Sequence, residues 1–228
     1  MKFKLTSETK DFLGIKLFRI EALVDFGSVK KGDKGGWVER EENLSQTNGD
    51  AWVHGDAQVY GGAWVYGNAQ VYGDAHVYGD AQVRGSAQVS GDAQVYGDAV
   101  VFGNAHVSGN ARVYNDAVVY GDAQVSGNAR GFGNARVCGD ARVSGNARVW
   151  ERVTYTYRSD GYKFHVFATP GGPRILAGCR WFKFNEAEAH WIKTRGGTPL
   201  GDESLEIVRF LKEMSKIRGL DKPVEASQ

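Results

Sequence analysis

The 228-residue chain has only two cysteines, Cys138 and Cys179, too few for a disulfide framework and in keeping with a reducing cytosol. It has almost no net charge. Its 28 Lys and Arg stand against 27 Asp and Glu, a formal +1, which argues against a protein that coats nucleic acid or adheres to membranes. No apolar run approaches the roughly 20 residues of a membrane span, and the opening Met1-Lys2-Phe3-Lys4-Leu5 lacks the apolar stretch of a secretory signal. The expectation from these absences is a soluble, cytoplasmic protein.

What the chain has is a six-residue phrase. Between Gly49 and Trp150 the pattern Gly, Asp or Asn, Ala, any residue, Val, any residue runs seventeen times without an insertion. A period this short means a stacked coil rather than a globular domain. The tetrad Ala-x-Val-x alternates as a half-buried strand does, and Gly-Asp/Asn supplies a corner because both residue types tolerate positive φ. Asn115, the one corner without Gly, is the replacement best able to keep that conformation. Three strands and three corners make a triangular turn of eighteen residues, so the predicted fold is an all-β solenoid of about 5.7 turns with parallel strands about 4.8 Å apart. About half of the 31 glycines serve as corners.

Residues 1–48 form a lead-in, with a strand over Ile15–Leu23 and a looser imitation of the repeat that places Val29, Trp37, Val38 and Leu44 inward. Residues 15–48 are predicted to cap the open end of the ladder. Residues 151–218 predict a small α+β domain: strands over Tyr162–Thr169 and Arg174–Phe184, a helix beginning at Asn185 with Glu188 closing a capping box and Gly196 ending it, and a second helix from about Asp202 to Ile217. The apolar set Ile207, Phe210, Leu211, Met214 and Ile217 marks that helix's packing face. Residues 219–228 read as a flexible end.

The phrase GDAQVYGDAVVFGNAHVSGNARVY resembles the hexapeptide-repeat, left-handed β-helix superfamily, and the left hand is an implication of that resemblance. Members of that superfamily are often trimers, which favours a homo-oligomer, a trimer first. DFGSVKKGDKGGWVE ahead of the repeat, with ILAGCRWFKFNEAEAHW and RGGTPLGDES after it, resembles uncharacterised proteins encoded by enterobacterial phages and prophages, of the kind labelled polymer-forming. That resemblance implies a bacterial host cell and brings no catalytic residues with it.

Every third hexad shares a face. The first face, from Trp52/His54 to Arg142/Ser144, is small and polar. The second carries an aromatic file, Tyr60, Tyr78, Tyr96, Tyr114, Phe132 and Trp150, about 24 Å long at ~4.8 Å per ring. Beside its last rings stand Arg112, Arg130 and Arg148, while the matching corners change from Asp56, Asp74 and Asp92 to Asn110, Asn128 and Asn146. Stacking alone would explain the file, and solvated charge alone the arginines. The functional reading is a site for an anionic partner, a nucleotide-like small molecule or a host protein, with Arg112, Arg130 and Arg148 holding the anion and Tyr96, Tyr114, Phe132 and Trp150 beside them. Long nucleic acid is the weaker choice at this net charge. On the third face Trp64, Tyr66, Val100, Phe102, Val118 and Tyr120 predict an oligomer interface. Gly131, where the inward Val is missing, leaves a hole of about three methyl-sized groups, read as a repacked ring, a bulge or a ligand notch.

Catalysis finds little support. Acyltransferases that resemble this repeat extrude loops over the acyl carrier, and no loop leaves this coil. His54 and His106 share a face three turns apart, and His76 lies on another, too dispersed to converge on a metal within one chain. Cys179 and His190 invite a nucleophile reading, against which stands the commoner pairing of a structural Cys with a surface His. No cofactor, metal ligand or catalytic residue is assigned. The reading is a non-catalytic, self-associating solenoid. A structural component of a phage particle and an acyltransferase using acyl-CoA are the alternatives.

Overall fold

The computed structural model describes residues 1–219 except 48, 140, 146–147, 150–153, 168, 170–171 and 179, with backbone only at 148, 154 and 155. Trp150, the side chain of Arg148, Asn146, Cys179 and the end from 220 onward lie outside the described residues. The chain divides into two units, Met1–Ala147 and Arg148–Gln228.

The repeat is a β-solenoid. Its Ala and Val positions point inward and are shut off from solvent, Ala57, Val59, Val77, Val95 and Val113 all at 0% exposure. Short strands, β4–β20, recur every six residues from Trp52–Val53 to Arg148–Val149. Each but the last three pairs in parallel with the strand eighteen residues on, as in Val59↔Val77, Val77↔Val95, Val95↔Val113 and Val113↔Gly131. Three sheets result, led by Trp52, Gln58 and Trp64 and continued by every third strand. The predicted circumference is therefore the observed one. Backbone amides donate along the stack, Gln94 to the Ala111 carbonyl and Tyr78 to that of Val95, at 2.9 and 3.0 Å. Corners stack too: the Asp80 amide donates to the Gly97 carbonyl at 2.9 Å. Gly79, at φ 72°, shows why the corner is glycine, since a Cβ there would sit 2.8 Å from the Gly97 amide nitrogen. Asn115 holds φ 57°, the conformation expected of it.

The lead-in goes beyond its prediction. β1 (Phe3–Phe12), a strand that the sequence reading did not include, pairs antiparallel with β2 (Ile15–Ala22) through a turn at Leu13-Gly14 with φ 53° and 82°. β3 (Lys34–Val38) pairs antiparallel with β2 and in parallel with the Gln58–Val59 strand, which converts a hairpin into the first rung of the coil. Gln46 clamps the chain start: its Oε1 accepts from the Lys2 and Phe3 amides at 2.8 and 3.1 Å, and its Nε2 donates to the Phe3 carbonyl at 2.9 Å. Val29, Val38 and Leu44 are buried as expected. Trp37 is not inward. It is in register with Gln58, an outward position, and is buried because the hairpin folds over it, with Lys10 and Arg19 4.6 and 4.9 Å from its ring.

In the second unit β21 (Thr154–Tyr157), β22 (Lys163–Phe167), β23 (Arg174–Ala177) and β24 (Arg180–Phe182) form an antiparallel meander in chain order. The strand predicted over Arg174–Phe184 is thus two strands, because Gly178 turns the chain at φ 63°. Helix α1 (Phe184–Arg195) starts one residue early, and its cap contact is the Lys183 amide donating to the Glu186 carboxylate at 2.7 Å. Glu188, expected in that role, faces Lys212 at 3.5 Å. Gly196 ends the helix, but the left-handed residue is Gly197 at φ 74°. Helix α2 (Pro199–Ile217) begins at Pro199 rather than Asp202, since the Thr198 hydroxyl caps it by accepting from the Gly201 amide at 3.1 Å. Its buried residues are Gly201, Ser204, Val208, Leu211 and Ser215; of the predicted set Leu211 is buried and Ile207 packs at the edge of the core, while Phe210 and Ile217 stay exposed. Small serines let the helix approach the sheet, where Phe164, Ile175, Phe182, Trp191, Val208 and Leu211 make the core.

Gly131 is buried, and a Cβ built there meets nothing within 4 Å. Gly131→Val is expected to raise stability by roughly 1–3 kcal/mol in thermal melts, by filling the hole and stiffening the unfolded chain. Gly79→Ala should lower it by at least about 1–2 kcal/mol, the cost of the left-handed conformation before any clash. A lower melting temperature for Gly131→Val would mean that the wall has already closed.

Candidate ligand face and apolar face

Register puts one outward ring per turn on the second face. Tyr60, Tyr78, Tyr96, Tyr114 and Phe132 follow at centroid spacings of 5.0, 4.8, 4.9 and 5.3 Å, with planes within 8° of parallel. Such a file follows when identical side chains in one rotamer meet a parallel ladder, because the strand spacing equals the thickness of stacked rings plus a small offset. Every inner ring is covered on both faces by its neighbours, so the file shows solvent its edges.

The two halves of this face differ. Over the N-terminal half the hairpin closes down: Phe12 lies 5.8 Å from Tyr60 and 5.1 Å from His76, and Leu17, Trp37 and Tyr60 are buried together. Asp56 is engaged there, accepting from the Trp37 indole at 3.2 Å and facing Arg19 at 3.4 Å, which together hold its carboxyl below the usual range. Burial pushes the Tyr60 phenol up from 10.0 to about 12, with the neighbouring Tyr78 adding to it. Burial also raises Tyr78 and Tyr96, against the pull of Arg112 on both and of Arg130 on Tyr96. His76 is lowered, first by burial and then by Lys10.

Among the described residues the hairpin's ring contacts stop at the N-terminal half. Arg112 is exposed and Arg130 half-buried, in register on adjacent strands, and among the described residues neither makes an ion pair. The corner below Arg112 carries amides instead of carboxylates, with Asn110 Nδ2 donating to Asn128 Oδ1 at 3.2 Å. The structure therefore brings together Arg112, Arg130, Tyr96, Tyr114 and Phe132. Arg148 continues the strand series in sequence, with its side chain outside the described residues, as is Trp150. Arg136 and Arg142 are exposed at the same end of the coil but on the other two sheets. The contribution of the hairpin was not visible in sequence: Phe12 belongs to a strand whose alternation of burial is weak.

The predicted interface set splits in two. Val100↔Val118 are paired, and Phe102 and Tyr120 stack at 5.1 Å and 4°, so these four make one apolar block of half-exposed residues. Trp64, 43% exposed, stacks on Tyr66 at 3.9 Å. Gln82 and Arg84 stand between the two groups, the Arg84 guanidinium 4.3 Å from the Phe102 ring. His54, on the first face, bonds Gln70 at 2.7 Å. His190 packs on Phe182 and Trp191 in the second unit, and burial followed by Arg180 lowers its pKa.

Residues 69–85, 87–101, 93–109, 105–121 and 135–151 match a family model described as YdcK beta solenoid repeat. No curated protein matches the chain. The matched stretches lie in the repeat, running one residue past its end, and agree with the observed solenoid. No helix among the described residues is long and apolar enough to cross a membrane.

The raised Tyr60 phenol makes stability fall at high pH. A folded-state pKa above the unfolded 10.0 means that the stability it carries is whole below pH 10 and is lost as pH rises toward about 12. Chemical denaturation should show wild type losing stability across that window and Tyr60→Phe losing less. Equal slopes for the two proteins would place Tyr60 outside the cap's packing.

Proposed function

We propose that this β-solenoid repeat protein is a non-catalytic scaffold of phage or prophage type, which self-associates through its third face and docks an acidic partner on the open half of its second. One observation carries the docking reading: Arg112 and Arg130 stand on adjacent rungs, beyond the rings that the hairpin covers, and among the described residues neither makes an ion pair. Guanidinium groups held at a fixed pitch suit a row of carboxylates or phosphates, each bond being charge-assisted. Of the two partner classes, a host protein's acidic surface fits better than a nucleotide. A base needs a free ring face, and the inner rings of this file spend both faces on each other. The positive edges that they turn outward favour an anion as well.

Self-association rests on Val100, Phe102, Val118 and Tyr120, a contiguous apolar block on the third face. A trimer is the first choice, through the likeness to hexapeptide-repeat proteins.

Two measurements test this. Poly-L-glutamate should bind the wild type in a salt-dependent way, and Arg112→Gln/Arg130→Gln should weaken it roughly 10–100-fold. ATP should give no saturable thermal shift; if it does, and the double variant loses it, the nucleotide reading replaces this one. Native mass spectrometry should give an oligomer for wild type and a monomer for Val100→Lys/Val118→Lys. An oligomer untouched by that pair of lysines would move the interface elsewhere.

A further inference from the structure

The C-terminal unit holds a groove of about 760 Å³, which nothing above uses. It opens between β24, the C-terminal half of α1 and the first turn of α2, all within one packed core. Its volume falls in the range of small-molecule sites. Arg180 from β24 and Arg195 from the end of α1 line it, both exposed, and among the described residues neither makes an ion pair. No Asp or Glu is among the lining residues. The N-terminus of α2, a 19-residue helix, adds its positive end at Thr198–Leu200. The electrostatic character of the groove is therefore cationic on three sides.

The remaining wall is ring and hydrocarbon. Tyr162, Trp191, His190 and Leu200 supply it, with Tyr162 and Trp191 edge-on to each other at 5.7 Å and His190 and Trp191 at 4.9 Å. Burial and Arg180 hold the His190 imidazole below its ordinary range, so at neutral pH it lines the groove as a neutral ring. Trp191 is 4% exposed, and its indole N–H has no hydrogen-bond partner among the described residues. A buried donor left unpaired is rare in native proteins. Arg158 braces this floor from the core: its guanidinium sits 4.8 and 5.3 Å from the Tyr162 and Trp191 rings and is itself satisfied by Asp160 and Ser204. The rings are thus fixed in place by a paired charge, while the charges at the rim make no ion pair among the described residues.

We propose that this groove binds a small aromatic anion, with its carboxylate or phosphate between Arg180 and Arg195 and its ring against Tyr162, His190 and Leu200. Both anions share the chemistry that two guanidinium groups recognise. The inference stands apart from the solenoid-face reading, since it involves none of the same residues.

The test uses the full chain labelled with ¹⁵N and follows the Trp191 indole resonance, identified by its loss in Trp191→Phe. Benzoate and phenyl phosphate are titrated separately, with inorganic phosphate and benzyl alcohol as partial ligands. At least one aromatic anion should shift the resonance saturably with a Kd at or below about 1 mM, and the arm that binds tighter names the anion. Inorganic phosphate should bind at least about tenfold more weakly, and benzyl alcohol should give no saturable shift. Arg180→Gln/Arg195→Gln should weaken binding roughly 10–100-fold, as should Thr194→Glu, which places a carboxylate in the groove, whereas Arg112→Gln/Arg130→Gln should leave it unchanged. No saturable shift from either aromatic anion up to about 10 mM would overturn the proposal. So would equal binding of benzyl alcohol or inorganic phosphate, or an Arg180→Gln/Arg195→Gln protein that binds as wild type does.

Discussion

The eighteen-residue stack is the constraint from which the rest of this structure follows. Each rung bonds its backbone to the next through amides such as Gln94 to Ala111 and Asp80 to Gly97, at strands and corners alike. A slip of one residue would turn every inward Val to solvent and every outward ring into the core. The ladder is therefore held by the same alternation that fills it, and with register held, side chains eighteen apart in sequence become columns. Tyr60 to Phe132 and Val100 over Val118 are columns of this kind.

Stacking also decides what a column can do. Rings 4.8–5.3 Å apart and nearly parallel satisfy one another, which stabilises the coil and removes their faces from recognition. Guanidinium groups in the neighbouring column cannot satisfy one another, and among the described residues Arg112 and Arg130 make no ion pair. The corners follow the same logic. Asn110 and Asn128 bridge turns with an amide hydrogen bond, as Asn104 does with Asp122, an arrangement that two stacked carboxylates could not adopt without repulsion. Where the coil gains Arg112 and Arg130 it has given up the carboxylates that would have quenched them.

The two ends of the chain obey different physics. At the N-terminus an open ladder must be closed, and it is closed by a hairpin that joins the second sheet and then overhangs it, burying Trp37 and Tyr60 on a face whose next rings are half-exposed. The C-terminal unit has no repeat to lean on and packs two helices on a four-stranded meander. Its groove arises because α1 ends, at Arg195 and Gly196, just before Pro199 starts α2.

The repeat was legible because its information is local and redundant: each corner, inward Val and outward ring is restated every six residues, so Asn115 and Gly131 could be read as exceptions against a known phase. The lead-in and tail restate nothing. Trp37 reads as inward by analogy with the repeat, and only the hairpin folding over it explains a buried ring at an outward position. The α2 stripe is only partly legible: Leu211 is buried as its type suggests, but Ser204 and Ser215 are polar by type and buried by need, while Phe210 and Ile217 are apolar and left out.

By itself, then, the sequence determined the solenoid, its circumference and the membership of each column, since period and alternation are properties of neighbouring residues. Tertiary structure alone decided which half of the ring file the cap covers, how the rings use their faces, and that Arg180, Trp191 and Arg195 meet around one groove. Those outcomes depend on contacts between residues far apart in the chain, whose free energy no local pattern encodes.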